Sequence, residues 1–263
     1  MPDPTVSIIM PAFNSERHVL QAVRSVQAQL FQDWELLVVD GGSRDATRDI
    51  VGGLASSDPR IKLLSNPDDK GPAHARCTGV RAARGTYVAF LDADDLWLPE
   101  KLGAQVAFMR DHGVRFSYAP YRSISEDGAR VGCLTPVRRS FGFGQALRNR
   151  GIGTLTVMVE RALLTSDVIQ VWRRAGGEEY LWWLLVLRKG VTAHRLDSDV
   201  ARYRNTGGSL SKNVHYTLGS VWQMYRGDLG LPLHAAAPSY FSYLLSAGLR
   251  KARVRLCEKL KLN

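Results

Sequence analysis

Short apolar blocks alternate with amphipathic stretches through the first half of the chain. The apolar blocks are continuous and rich in β-branched and aromatic residues, which is typical of strands buried on both faces of a sheet. Between them, apolar residues recur three or four positions apart, which predicts helices. The predicted strands are Val6–Met10, Trp34–Val39, Ile61–Leu64 and Thr86–Leu91. The order β-α-β-α-β-α-β predicts an α/β fold, a mostly parallel sheet with helices on both faces.

The second half predicts shorter and more scattered elements. From residue 216 onward the pattern is helical, so one α/β domain is expected over 1–215 and a basic helical extension over 216–263. A turn is predicted at Glu126-Asp127-Gly128 and a loop over 135–153. A helix is expected over 99–112, a second after Gly176-Gly177, and strands over 114–118, 155–159, 192–195 and 201–203.

Each predicted strand of the first half ends in a polar or glycine-rich segment. In parallel sheets, ligands bind beyond the carboxyl ends of the strands, so these segments are expected to face one cleft. No G-x-G-x-x-G follows the first strand, which counts against a dinucleotide-dependent oxidoreductase. The four segments are Pro11–Asn14, Asp40–Ser43, Asn66–Gly71 and Asp92–Asp95.

The acidic cluster Asp92-Ala93-Asp94-Asp95 suggests a metal site. Unpaired carboxylates are costly in a dry core, so the strand must deliver them to water or to a cation. In extended backbone Asp92 and Asp94 point the same way, and paired carboxylates suit Mg²⁺ or Mn²⁺ with phosphate oxygens completing the shell. The alternative is a solvated acidic turn before the next helix. A second D-x-D at Asp197-Ser198-Asp199 shows that the pattern alone decides nothing.

The formal net charge of +10 indicates an anionic partner. Nucleic acid, anionic lipid and a phosphorylated substrate would each fit. The chain has neither an aromatic-interleaved RNA-binding pattern nor a zinc finger, so nucleic acid is not expected. Much of the excess lies in Arg138-Arg139, Arg148, Arg150 and Arg250–Lys261.

Three features of the 263 residues bear on cellular location: the length of the apolar runs, the N-terminal residues and the cysteines. Apolar runs such as Leu181–Leu187 are too short to span a bilayer, and the N-terminal residues do not resemble a secretion signal. Three widely spaced cysteines are expected to be reduced. We therefore expect a cytoplasmic protein.

Five segments together resemble the family 2 glycosyltransferases of the GT-A fold. In order they are VSIIMPAFNSE, DWELLVVDGGSRDAT, ARGTYVAFLDADDLWLPEKL, GGEEYLWWLLVLRKG and YRNTGGSLS. The resemblance is closest to members that build bacterial surface polysaccharides. It implies a Rossmann-like mixed sheet, with a nucleotide-binding half over 1–120 and an acceptor-side half over 121–215. The implied reaction is inverting transfer of a sugar from a nucleotide-diphosphate sugar, most often UDP-linked, to a hydroxyl of a glycan or lipid-linked acceptor.

The resemblance also implies roles for individual residues. Asp94 matches the direct ligand of a Mn²⁺ or Mg²⁺ ion, and Asp92 matches a carboxylate facing ribose or metal. Glu178-Glu179 stands at the family's catalytic acidic pair, with Glu179 as the base. Tyr203-Arg204 and Ser209–Lys212 match a loop that closes over the diphosphate. The residues matched to nucleotide binding are Pro11, Phe13, Asp40, Arg76, Asp92 and Arg204.

Several alternatives stay open at this point. Gly41 stands where the family often has a second Asp, and Glu179 where Asp is usual, so a catalytically silent sugar-nucleotide or partner-binding protein is a second hypothesis. Glu178-Glu179 would also suit an ordinary helix N-terminus. Trp182-Trp183 could stack on a sugar or belong to the core. The basic C-terminal helix could lie on the inner face of an anionic membrane, near a lipid-linked acceptor, or could simply be solvated.

Overall fold

The computed structural model describes residues 2–66, 71–170, 178–206 and 214–260. The strands there are β1 (Val6–Ala12), β2 (Trp34–Asp40), β3 (Ile61–Ser65), β4 (Tyr87–Phe90), β5 (Leu96–Trp97), β6 (Phe116–Tyr118), β7 (Arg122–Ile124), β8 (Val131–Leu134), β9 (Ser140–Phe141), β10 (Met158–Glu160), β11 (Ala193–Arg195) and β12 (Ala201–Arg204). The helices are α1 (Val19–Gln27), α2 (Thr47–Ser57), α3 (Pro72–Ala82), α4 (Lys101–Asp111), α5 (Phe143–Arg148), α6 (Ser166–Ile169), α7 (Glu178–Arg188), α8 (Val214–Gln223) and α9 (Leu233–Leu260).

The main sheet is mixed, as the resemblance implies. Its eight strands run in the order β3-β2-β1-β4-β10-β6-β11-β9. The first four are parallel, whereas β10 runs antiparallel to both β4 and β6. Every residue of β1, β2 and β4 is buried, which explains why these strands form continuous apolar runs in the sequence.

The two faces of the sheet bury separate clusters of side chains. Ile8 and Leu36 pack on the face covered by α1 and α4, whereas Ile9 and Phe90 pack on the face covered by α3 and α7. Trp182-Trp183 belongs to the second cluster and is fully buried, with its rings 6.2 and 5.5 Å from that of Phe90. This tryptophan pair is therefore a core element. The same cluster includes side chains of α8, of the π-helical turn Met224–Asp228 that follows it, and of α9.

A second, four-stranded sheet was not predicted. It runs in the order β5-β12-β7-β8, and its strands have only two to four residues each. Pairing of Trp97 with Ala201 and of Leu96 with Arg202 joins the residues just after the acidic cluster to β12. The pairing of β7 with β8 fits the predicted turn at Glu126-Asp127-Gly128, and β12 fits the predicted strand over 201–203. The sheet as a whole was missed because β12 pairs with β5 and β7, which lie far away in the chain.

Three local predictions were wrong. The sequence predicts that Asn14 or Ser15 caps the first helix, but this helix begins at Val19, because Asn14 adopts φ +47° and the carbonyl of Ser15 accepts from the N–H groups of His18 and Val19. The predicted loop over 135–153 contains β9 and α5. Cys77 is free and buried, as expected, but Cys133 is in a disulfide.

In the described part of the chain, no helix combines the length and the apolar character that crossing a bilayer requires. The boundary at residue 215 stays a prediction.

Candidate functional site

Hydrogen bonds join the loops that follow β1, β2 and β3. The N–H of Gly41 donates to the carbonyl of Ala12 at 2.9 Å, and the N–H of Asn66 donates to the carbonyl of Asp40 at 2.8 Å. The N–H of Asn14 donates to Oγ of Ser43 at 2.9 Å. The carboxyl edge of the parallel strands is therefore a continuous surface, as the sequence predicts for a ligand cleft. Residues 67–70 of the predicted Asn66–Gly71 segment lie outside the described residues.

Asp40 is fully buried at the end of β2. Its carboxylate accepts from the N–H groups of Gly42 at 3.1 Å and Ser43 at 3.2 Å, and it pairs with Nη1 of Arg48 at 3.1 Å. These bonds fix the loop around the two glycines. In this arrangement Asp40 fixes the shape of the surface at the end of β2.

Pro11 and Phe13 occupy different environments at the end of β1. Pro11 is buried within the strand, where it stands opposite Val39 in the register. Phe13 follows the strand and is 50% exposed, unusual for a large aromatic side chain. Phe13 therefore offers an accessible apolar face at this edge of the sheet.

Arg76 connects two carboxylates from distant parts of the chain. It projects from α3 and is only 3% exposed. Its Nη2 donates to Oδ1 of Asp92 at 2.5 Å, and its Nη1 lies 2.5 Å from Oε1 of Glu179. The side chains of Asp92 and Glu179 keep 39% and 16% of their surface exposed. One guanidinium thus brings the acidic cluster after β4 beside the first turn of α7.

The carboxylates of the acidic cluster crowd one another. Burial, followed by the charge of Asp92, raises the pKa of Asp94. Asp95 is buried and accepts the N–H of Arg204 at 2.8 Å; burial, followed by the charges of Asp92 and Asp94, raises its pKa well above the usual value. A cation placed between these groups would relieve their repulsion.

Asp92 and Asp94 supply hard oxygen ligands on one loop. Among the described residues, no set of three or more His, Cys, Asp or Glu side chains forms a ready-made metal cage. Two carboxylates nevertheless fit a Mg²⁺ or Mn²⁺ ion that takes its remaining ligands from water and phosphate. In the second D-x-D both carboxylates pair with arginines, Asp197 with Arg195 and Asp199 with Arg122. In the first D-x-D, among the described ion pairs, only Asp92 has such a partner.

Arg204 holds the acidic cluster in place from the small sheet. It is 2% exposed, and its Nε donates to the carbonyl of Asp94 at 2.7 Å. Its Nη1 donates to the carbonyl of Glu126 at 2.7 Å and its Nη2 to Oε1 of Gln21 at 2.9 Å. These contacts anchor the acidic loop, a role that the sequence did not indicate. The adjoining Ser209–Lys212 segment lies outside the described residues.

A pair of buried tyrosines positions the first turn of α7, where Glu179 lies. The hydroxyl of Tyr180 donates to the carbonyl of Ala146 at 2.8 Å and lies 2.9 Å from the hydroxyl of Tyr225. Burial raises the pKa of Tyr180 well above its usual value, so the phenol stays protonated. No local sequence pattern indicates this pair, because Tyr180 lies more than thirty residues from both Ala146 and Tyr225. The side chain of Glu178 lies outside the described residues.

Comparison with known proteins yields a family match and a curated relative. Residues 7–161 match the family Glycosyl transferase family 2. Over 252 residues the chain is 34% identical to WfgD of Escherichia coli, a UDP-Glc:alpha-D-GlcNAc-diphosphoundecaprenol beta-1,3-glucosyltransferase. That alignment covers 95% of this chain and 96% of WfgD.

Solved structures of other glycosyltransferases share the fold. TarS residues 1–349 of S. aureus, in complex with UDP-GlcNAc, gives a TM-score of 0.69 at 18% identity, covering 85% of this chain and 67% of that one. The mannosyltransferase PcManGT of Pyrobaculum calidifontis, in complex with GDP-Man and Mn²⁺, gives a TM-score of 0.66 at 19% identity, covering 100% of this chain and 82% of that one.

Proposed function

Because the chain belongs to glycosyl transferase family 2 and has the GT-A fold, we propose that it transfers a sugar from a UDP-sugar to a hydroxyl of a lipid-linked acceptor. The family match and the similarity to WfgD confirm the predicted glycosyltransferase activity. The donor and acceptor classes follow those in the name of WfgD, which aligns along nearly the whole chain. The product would be an early unit of a bacterial surface polysaccharide, assembled at the cytoplasmic face of the membrane.

One observation carries the proposal: Arg76 lies between Asp92 and Glu179, within 2.5 Å of each. A transferase must hold a leaving diphosphate and an accepting hydroxyl on opposite sides of the same sugar carbon. The proposal assigns the diphosphate side to Asp92 and the hydroxyl side to Glu179. Arg76 supports it by keeping the two carboxylates beside each other before either substrate arrives.

The donor would lie along the joined loops after β1 and β2. Phe13 would pack against the base, and Pro11 would set the path of the strand beneath it. Asp40 would act through the loop that it holds, leaving the half-buried backbone of Gly42 available for close approach by a ribose. We assign Arg76 to positioning the ribose-side carboxylate of Asp92, with which it is paired.

Asp94, with Asp92, would hold a Mn²⁺ or Mg²⁺ ion against the two phosphates. When bound, this ion offsets the negative charge that builds on the departing diphosphate. Arg204 would keep the loop in the required shape through its bonds to the backbone of Asp94 and the carboxylate of Asp95. It is therefore proposed as a positioning residue.

Glu179 would remove the proton of the acceptor hydroxyl as the oxygen attacks the anomeric carbon. Attack from the side opposite the diphosphate inverts the configuration of that carbon. Glu179 is partly accessible, as a base that meets an acceptor must be. Glu178 would complete the negative helix N-terminus, where the macrodipole favours acidic residues.

The proposal is tested by comparing Glu179→Gln with Glu178→Gln. A panel of UDP- and GDP-sugars is first screened for transfer to a diphosphate-linked N-acetylglucosamine acceptor in the presence of Mn²⁺. With the preferred donor, Glu179→Gln should lower kcat by about 10²–10⁴-fold while leaving donor affinity unchanged. Glu178→Gln should retain most of the activity. Near-normal turnover by Glu179→Gln, or an equal loss in both variants, would remove Glu179 as the base.

A further inference from the structure

The long helix α9 presents large apolar side chains to solvent along one side. Phe241, Leu245 and Leu249 are 77%, 67% and 58% exposed. Their spacing of four residues places them on one side of the helix, and we call them the α9 ridge. The opposite side of the helix is also apolar, and it packs into the core through Ala236 and Tyr243.

A helix that is apolar on both sides is unusual at a water-exposed surface, where charged residues normally cover the outer face. Residues 233–249 include no Lys, Arg, Asp or Glu. Residues 250–261 then contain one acidic residue, Glu258, against six basic ones, which are Arg250, Lys251, Arg253, Arg255, Lys259 and Lys261. The chain thus passes from an exposed apolar stretch directly into a strongly basic one. A contiguous exposed apolar patch of this kind indicates a binding surface.

A basic pocket of about 610 Å³ lies beside the ridge, between α5 and α9. Ser242 and Ser246, which line it, each follow a ridge residue in the sequence, so pocket and ridge share one edge of the helix. Arg138 and Arg148 are exposed, and neither guanidinium is in an ion pair within the described ranges. The polar lining residues are Arg138, Gln145, Arg148, Asn149, Ser242 and Ser246. Two guanidiniums with amide and hydroxyl groups suit a phosphate.

We propose that the α9 ridge and this pocket form a docking surface for an anionic phospholipid bilayer. The ridge side chains would enter the acyl boundary, and a headgroup phosphate would occupy the pocket between Arg138 and Arg148. The basic composition of residues 250–261 adds electrostatic attraction to such a surface. This docking surface would bring the enzyme to a lipid-linked acceptor, and in that respect alone it rests on the proposed function.

The positive charge of the protein favours binding of an anionic bilayer over binding of a second copy of this chain. A symmetric dimer formed through α9 would bring together two copies of the arginine pocket on proteins of net charge +10 each. An anionic bilayer complements that charge and also buries the ridge. The surface also lies near the proposed base. Arg148 ends α5, and the carbonyl of Ala146 in α5 accepts the hydroxyl of Tyr180, the residue after Glu179.

The test is cosedimentation of the full chain with lipid vesicles, without donor or acceptor. Vesicles of phosphatidylcholine alone are compared with vesicles that also contain phosphatidylglycerol. We expect binding to the anionic vesicles and a loss of about tenfold or more in the double variant Phe241→Ser/Leu245→Ser. Arg138→Gln/Arg148→Gln should weaken binding to anionic vesicles and reduce its salt dependence. Leu30→Ser is the matched control, since Leu30 is 71% exposed but lies away from α9.

Three results would overturn the proposal. These are equal binding to neutral and anionic vesicles, full binding by the ridge variant, and loss of binding by Leu30→Ser. Sedimentation velocity adds a fourth, because a wild-type dimer dissociated by the ridge variant would assign the ridge to a second copy. All variants are first checked for an unchanged thermal midpoint. Transfer to a water-soluble acceptor should be normal in the ridge variant, so failure of the docking proposal is distinguishable from failure of the proposed function.

Discussion

Arg76 is the residue on which the geometry of the site most depends, because one buried guanidinium orients two carboxylates. Lysine keeps the charge at this position but cannot bind both partners through a planar fork. We predict that Arg76→Lys lowers kcat/KM about a hundredfold, because misplaced reacting groups lose orientation.

The measurement is steady-state transfer, with the thermal midpoint recorded in parallel. Arg48→Lys is the matched control, because Arg48 is 46% exposed at its side chain and pairs with Asp40 at the neighbouring loop. Activity should change little there. A fully active Arg76→Lys enzyme would show that the bridge has no catalytic consequence.

Lys101 has an unusual environment for a lysine. It is fully buried, its Nζ has no hydrogen-bond acceptor among the described residues, and it lies 3.7 Å from the centre of the Trp97 ring. Burial lowers its pKa well below 10.5, although the ring face offsets part of the cost of the charge. We predict that Lys101→Met raises the free energy of unfolding by about 1 kcal/mol or more near neutral pH.

The pH dependence of that gain follows from the sign of the shift. Between the lowered folded pKa and 10.5 the unfolded chain binds more protons, so wild-type stability rises with pH over this window. The advantage of Lys101→Met should therefore shrink as the pH approaches 10.5. Lys62→Met provides the contrast, because Lys62 pairs with Glu35 at 2.8 Å, and its loss should cost up to about 1 kcal/mol. Urea denaturation at several pH values measures both variants. A destabilised Lys101→Met variant would contradict the prediction.

The connection from α3 to β4 depends on a glycine. A Cβ added at Gly85 would lie 2.5 Å from the backbone nitrogen of Ser7 and 2.8 Å from the carbonyl carbon of Val6. The N–H of Gly85 also donates to Oγ of Ser7 at 2.8 Å. Gly85→Ala must push β4 away from β1, and we predict a loss of about 1–3 kcal/mol of stability.

Gly53→Ala is the matched control, because it adds the same methyl group at another glycine. Gly53 lies within α2, and nothing is within 4 Å of an added Cβ. Alanine should therefore stabilise the helix by up to about 1 kcal/mol. Thermal unfolding of both variants measures the difference. Equal midpoints would show that the β1–β4 contact tolerates an extra methyl group.

Elements were predictable from the sequence where their own residues determine them. Three of the four parallel strands, β1, β2 and β4, are buried along their whole length, and this burial is visible as continuous apolar runs. The small sheet was missed as a sheet because β12 pairs with β5 and β7, which lie far away in the chain, and α5 was missed because it has only six residues. The same limit applies to the site. Asp92 and Glu179 could each be singled out, but their common partner Arg76 depends on the packing of α3 against α7, which no local pattern reports.

In the molecule as a whole, two buried arginines from different elements bind the acidic cluster after β4. Arg204 of the small sheet binds the cluster through Asp94 and Asp95, and Arg76 of α3 ties Asp92 to Glu179 of α7. The joined loops after β1 to β3 form the remaining side. We therefore propose that the carboxyl edge of the sheet is one site, which would bind the donor, the cation and the acceptor.

The most direct test of that site is calorimetric titration of UDP with and without Mn²⁺, using wild type, Asp94→Asn and Asp197→Asn. Asp197 belongs to the arginine-paired second D-x-D and serves as the matched control. We predict that Mn²⁺ strengthens UDP binding by wild type and by Asp197→Asn, and that Asp94→Asn loses this enhancement. An undiminished Mn²⁺ effect in Asp94→Asn would contradict the account.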